Sequence, residues 1–104
     1  MAKIPQQQFI NALDKIKQPG TLTDAVYFGK SNVWYIRVIN SDHLSYYELH
    51  HYGTLIAKIT VQPSAIDVVY LDIHSGSDRD GINSLLHILG APYKVNLHGE
   101  RKHH

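Results

Sequence analysis

The sequence predicts an α+β domain: a mainly antiparallel sheet of about five strands, with an N-terminal and a C-terminal helix packed on one face. Three observations predict it. Two segments, one near the start and one around residue 80, carry apolar residues at helical spacing. The stretch between them is rich in β-branched and aromatic residues and is broken by short turn clusters. A chain of 104 residues is long enough to bury a core without staples and short enough for a single domain. Short strands joined by short turns favour an antiparallel meander over βαβ crossovers.

The first helix is expected over residues 5–18. Phe9, Ala12, Leu13 and Ile16 fall at i, i+3, i+4 and i+7, one apolar stripe. Pro5 suits a first turn, where its missing N–H would be unpaired anyway, and Lys15 and Lys17 favour the negative end of the helix dipole. Pro19-Gly20 then stops it. Strands follow at 25–28, 33–39, 43–51, 54–61 and 66–73, separated by Lys30-Ser31-Asn32, Asn40-Ser41-Asp42 and Gln62-Pro63-Ser64. Trp34, Ile36 and Val38 share one face. In the fourth strand Leu55, Ala57, Ile59 and Val61 read as inward, Thr54, Lys58 and Thr60 as outward, and Ile56 breaks the alternation.

The second helix has the sharpest local pattern. Ser77 or Asp78 can cap its start, and Ser77-Asp78-Arg79-Asp80 resembles a capping box with Asp in the Glu/Gln place. Ile82, Leu85, Leu86 and Leu89 form the apolar stripe, and Gly90 followed by Pro92 marks the stop. Residues 93–97 alternate like a short strand or form an ordered tail. The domain is expected to span 1–97, with 98–104 a polar, flexible tail. Its closing His103-His104 reads equally as native sequence or as the stub of an expression tag and carries no argument.

Composition excludes several classes of function. Ten Lys+Arg against nine Asp+Glu leave a net charge of +1, which speaks against both a strongly basic nucleic-acid binder and an acidic DNA mimic. With no cysteine there is no disulfide, thiolate metal site or cysteine nucleophile. No secretory signal or membrane-length apolar run is visible, so a soluble, intracellular protein is expected. Eight histidines raise the question of metal, yet no HExxH or comparable pair exists, and His50 and His51 point to opposite faces of a strand. There is no GxSxG elbow, P-loop or GxGxxG. Asp67 and Asp72 could pair as carboxylates, while Asp78 and Asp80 are explained as helix-start residues. The residues therefore predict no catalytic group, no cofactor and no metal.

Tyrosine is the informative residue, with seven Tyr against two Phe and one Trp. Tyr46, Tyr47 and Tyr52 flank His50 in one short stretch, where alternation places some of them outward. Exposed tyrosines supply rigid contact area with a hydrogen-bonding tip and suit an interface. They also suit stacking on bases beside Arg37, Lys58 or Arg79. For any single tyrosine, the competing reading is a half-buried sheet aromatic that only packs.

Two stretches taken together carry a resemblance. Tyr52-Gly53-Thr54-Leu55-Ile56-Ala57, followed by Ser75-Gly76-Ser77-Asp78-Arg79-Asp80-Gly81-Ile82-Asn83 and a closing Leu89-Gly90, resembles a pattern in small proteins encoded by phages and prophages of Gram-positive bacteria. The resemblance covers residues 46–90. It implies an accessory phage protein, some of which block host defences such as CRISPR–Cas, and it carries over no catalytic residue. In that pattern Ser77 caps, Ile82 anchors the helix, and Arg79 and Asn83 hydrogen-bond the loop or project outward. Many anti-CRISPR proteins are markedly acidic; the near-neutral balance here favours a protein-specific contact or capture of a small ligand. The functional expectation is a non-enzymatic inhibitor that binds a host defence protein, a CRISPR effector first, in the host bacterial cytoplasm. Tyr46, Tyr47, Tyr52, His50, Arg79 and Asn83 are the expected partner-binding residues, and self-association into a homodimer is compatible. The alternatives are a sponge for a nucleotide immune signal, and a small nucleic-acid-binding regulator using Lys58, Arg79, Lys94 and Arg101-Lys102.

Overall fold

In a computed structural model, which describes residues 6–16, 23–40 and 44–103, the chain runs α1 (Gln6–Ile16), β1 (Thr23–Phe28), β2 (Trp34–Asn40), β3 (Ser45–His51), β4 (Thr54–Gln62), β5 (Ala65–Leu71), α2 (Gly76–Leu89), β6 (Tyr93–Val95) and β7 (Arg101–His103). Pro5, Lys17, Pro19-Gly20 and the Ser41-Asp42 turn lie outside the described residues, as do the side chains of Lys15 and Ile16. The architecture is α+β. Strands β1 to β5 form one antiparallel sheet in sequence order, because each connection is too short to do anything but return to its neighbour.

One buried cluster joins the helices to the sheet. Phe9, Ala12 and Leu13 of α1 and Ile82, Leu85 and Leu86 of α2 meet Trp34, Ile36, Val38, Leu49, Ala57 and Ile59. At about 25 cal/mol per Å² of apolar surface, burial of this set is the main force holding the fold. The side chains on the other side of each strand, among them Tyr35, Arg37, Glu48, His50 and Lys58, are only half-buried.

Two bulges explain where strict alternation fails. Leu49 pairs with Ala57 but His50 pairs with Leu55, so Ile56 is the extra residue on β4. That shift turns Ile56 into the core, 1% exposed, and sends Leu55 outward, the reverse of the expected assignment near this end. On β5, Val69 is the extra residue between Val68 and Tyr70, and it is exposed while Leu71 returns to the core.

Helix α2 begins two residues earlier than expected. Ser75, in extended conformation, is the N-cap, and its Oγ accepts the Asp78 N–H at 3.2 Å. Neither Ser77 nor Asp78 is the cap: Ser77 is buried inside the first turn and Asp78 is its third helical residue. The helix ends in a Schellman motif, with Gly90 left-handed at φ 88°, its N–H donating to His87 O, and the Ala91 N–H donating to Leu86 O.

The helix expected to be C-terminal is not the last element. Strands β6 and β7 follow it as a hairpin, so 101–103 are paired where the sequence suggests a flexible tail. The Asn96 side chain organises the turn, accepting N–H bonds from His98 and Glu100. This hairpin covers the outer edge of β5: Tyr93 donates to Ile66 O at 2.6 Å, and Arg101 reaches Asp67 and Val68 O. Asn83 holds β6 to α2 by bonding both the N–H and the C=O of Val95, at 2.7 and 2.9 Å. Asn83→Ala orphans both backbone groups and should cost about 2 kcal/mol, with amide exchange at Val95 accelerating. Unchanged stability and exchange would show the clamp to be dispensable.

Candidate functional site

Two regions of the molecule concentrate chemistry. The first is the outward side of the sheet, built by pairing register. Tyr27, Tyr35, His50 and Leu55 form one row across β1 to β4, and Arg37, Glu48, Lys58 and Tyr70 form the next across β2 to β5. Tyr27 tilts against Tyr35 with ring centres 4.7 Å apart, and Tyr35 meets His50 edge-on at 5.0 Å. Glu48 sits at the centre with its side chain mostly shielded, approached by Arg37 and Lys58 at 3.8 Å and by His50 at 3.6 Å. Lys58 also lies over the Tyr46 ring. Pairs this loose and wet add little to stability. Their effect is on the character of the surface, which shows tyrosine rings and cationic heads above a recessed carboxylate.

The second region begins in the core. Rings stack in sequence from α1 to the β3–β4 turn. Phe9 lies on Phe28 at 5.0 Å, Phe28 beside Trp34 at 6.2 Å, and Trp34 on His51 at 3.7 Å with planes 10° apart. Tyr52 completes the row, 4.5 Å from His51. Phe28, Trp34 and His51 are direct cross-strand neighbours, so register alone creates the stack.

The far edge of His51 is fixed by α2. Its Nδ1–H donates to Asp78 Oδ1 at 2.7 Å, and Asp78 Oδ2 accepts the His74 N–H at 2.9 Å. Both side chains are buried. A carboxylate here also lies at the positive end of the helix dipole. With Nδ1 committed, Nε2 is the ring's remaining functional nitrogen, and it is buried without a partner among the described residues. A cavity of about 370 Å³ at this end of the sheet is lined by His51, Tyr52, Thr54, Ile56, His74, Ser75, Ser77 and Asp78.

The turn at its rim is strained. Tyr52 and Gly53 have φ of 52° and 79°, the positive pair of a two-residue type I′ hairpin, where Asn-Gly is preferred. A tyrosine in this conformation costs about 1 kcal/mol, and strain of this kind gathers at functional sites. His74, exposed at the same rim, is raised above its ordinary value by its hydrogen bond to Asp72 at 2.8 Å and by the charge of that carboxylate. A raised folded value means the interaction stabilises at low pH and is lost as pH climbs through it. NMR titration should show the His74 transition above 6.5, moving back down in Asp72→Asn; an identical titration in that variant would remove the pairing.

The residues expected to bind a partner are divided by the fold. Tyr46 and His50 lie on the outward side of the sheet, whereas Tyr47 is in the core. Tyr52 is at the cavity rim, away from the rows that hold Tyr46 and His50. Arg79 is drawn to its neighbour Asp80 at 3.1 Å, and Asn83 is engaged by β6. Sequence reasoning missed Tyr27, Tyr35 and Tyr70 on the outward side, and it missed the His51–Asp78 pair. Inward alternation of His51 beside Trp34 was a visible signal, but the pairing with Asp78, 27 residues away, was not. Among the described residues no three His, Asp or Glu side chains group to hold a metal ion, and no helix is long and apolar enough to cross a membrane. Comparison with protein-family models, curated proteins and solved structures finds no match.

Proposed function

We propose that this chain is a non-enzymatic binding protein whose two helices cover one face of the sheet, leaving the other to engage a partner protein. The observation that carries this reading is the pairing register. It places four of the seven tyrosines, Tyr27, Tyr35, Tyr46 and Tyr70, on one side of the sheet with Arg37, Lys58 and His50 between them. Tyrosine and arginine are the residues that dominate protein interfaces. With Glu48 recessed beneath the cations, the surface suits a partner patch rich in carboxylates. The resemblance of residues 46–90 to small phage proteins supplies the partner class: a host antiviral defence protein, with a CRISPR effector first.

The test is expression in a bacterium carrying an active CRISPR–Cas system, challenged with a targeted phage. Wild-type protein is expected to restore infection and retain the effector in a pull-down. The Tyr35→Ala/Arg37→Glu/Lys58→Glu variant, changed only at half-buried outward positions, is expected to fold and lose both. No rescue and no retained defence protein would overturn the reading.

A further inference from the structure

We propose that Glu48 is a built-in competitor at the outward side of the sheet: it engages Arg37 and Lys58 in the free protein, and an acidic extended segment of the partner displaces it. The inference rests on the reading of that side as the partner surface, and it names the chemistry selected there. Arg37 and Lys58 each approach Glu48 at 3.8 Å. A direct hydrogen bond to a carboxylate ends at about 3.2 Å, so both cations are held near Glu48 without being bonded to it. They approach different oxygens, Arg37 Oε1 and Lys58 Oε2, and one carboxylate is thereby divided between two cations. His50 Nε2 lies 3.6 Å from the same Oε1 that Arg37 approaches, and it adds a third positive group when protonated. Arginine and lysine carry charge throughout the neutral range, so the cations are in excess even with a neutral histidine. Asp67, in the neighbouring row, does not offset the excess, because Arg101 reaches it at 3.3 Å.

Exposure sets the order of the layers. The Arg37 and Lys58 side chains are 42% and 38% exposed, and that of Glu48 only 14%, so a partner meets the cations first. A carboxylate arriving from solvent can take direct charge-assisted bonds that Glu48 does not make, bidentate ones from the arginine. Spacing favours an extended segment. Arg37 and Lys58 stand on either side of β3, about 10 Å apart at the backbone. Carboxylates at i and i+2 of an extended chain lie about 7 Å apart on one face, a difference that these long side chains span. Every acidic partner must first outcompete Glu48, which raises the threshold against weakly acidic segments.

The test titrates isotope-labelled full chain with a short peptide of alternating Glu and Thr while backbone amides are followed by NMR. A Gln-Thr peptide and an oligothymidylate are the comparison probes. Wild type is expected to bind the Glu-Thr peptide weakly, with saturable shifts at Arg37, Glu48 and Lys58, and the Gln-Thr peptide not at all. Glu48→Gln should bind the Glu-Thr peptide about tenfold more tightly, since two loose surface pairs no longer have to be given up. Glu48→Asp keeps the charge and should bind as wild type does, and Glu48→Gln/Arg37→Gln/Lys58→Gln should lose binding. The remaining amide shifts report that each variant keeps its fold. No saturable shift in wild type or Glu48→Gln would overturn the proposal, as would equal affinity in the two. Glu48→Asp binding as tightly as Glu48→Gln would overturn it by showing that charge is not the cause. Tighter binding of oligothymidylate than of the Glu-Thr peptide would overturn it in favour of a single-stranded nucleic acid. Displacement seen here without phage rescue removes the CRISPR target alone, whereas phage rescue without displacement removes the role of Glu48 alone.

Discussion

Asp78→Ala is expected to destabilise the fold by about 3–5 kcal/mol, a large share of the total for a domain of this size. The side chain is buried and serves two elements at once, accepting from the His51 ring on β3 and from the His74 backbone ahead of α2. Alanine leaves both donors buried or half-buried without an acceptor and removes a negative charge from the positive end of the helix. Asp78→Asn tests the chemistry more narrowly. Its carbonyl oxygen can still take the His51 N–H, but its amide then meets the His74 N–H donor to donor, so an intermediate loss is expected. Denaturant unfolding of Asp78→Ala, His51→Ala and the double variant gives the coupling directly. Additive losses, or a loss below about 1 kcal/mol for Asp78→Ala, would show that the two side chains do not act as a pair.

Trp34→Ala should be as severe, about 3–5 kcal/mol. Trp34 is fully buried at the middle of the ring stack, between Phe28 and His51. Removing it opens a cavity against two elements and deletes two aromatic contacts, each worth about 0.5–1.5 kcal/mol beyond burial. Trp34→Phe isolates packing from polarity. The indole Nε1 is buried without a partner among the described residues, so phenylalanine discards an unpaired donor while keeping most of the ring. A loss well below that of alanine is expected. Equal losses for the two would mean that the indole N–H has a partner worth keeping. As Trp34 is the only tryptophan, it cannot report on its own replacement, and unfolding is followed by far-UV circular dichroism.

The elements were largely legible because their causes are local. Phe9, Ala12 and Leu13 mark the buried side of α1, and Trp34, Ile36 and Val38 that of β2, since burial follows the period of each backbone. Gly90 marks the end of α2 because a left-handed residue is needed there. Local cues failed where two rules competed. Ser75, Ser77 and Asp78 all suit a helix start, and only the path of the chain out of β5 places Ser75 at the cap. The pairing of residues 101–103 is not legible locally, because Arg101 and Tyr93 reach β5 through contacts some thirty residues apart that no local pattern encodes.

The candidate sites were less legible, for the same reason. Tyr46 and Tyr47 are neighbours of identical type, and which one enters the core depends on the parity of β3, set by Leu49 and His51. The bulge at Ile56 then reverses the faces near the hairpin. By itself the sequence determined the fold class, the core stripes and the meander, because hydrophobic periodicity and turn chemistry act over a few residues. Tertiary structure alone decided that His51 meets Asp78 beneath Trp34, and that tyrosines from four different strands share one side of the sheet. Both depend on strand register and on where α2 docks, and those are settled by the packing of the whole core.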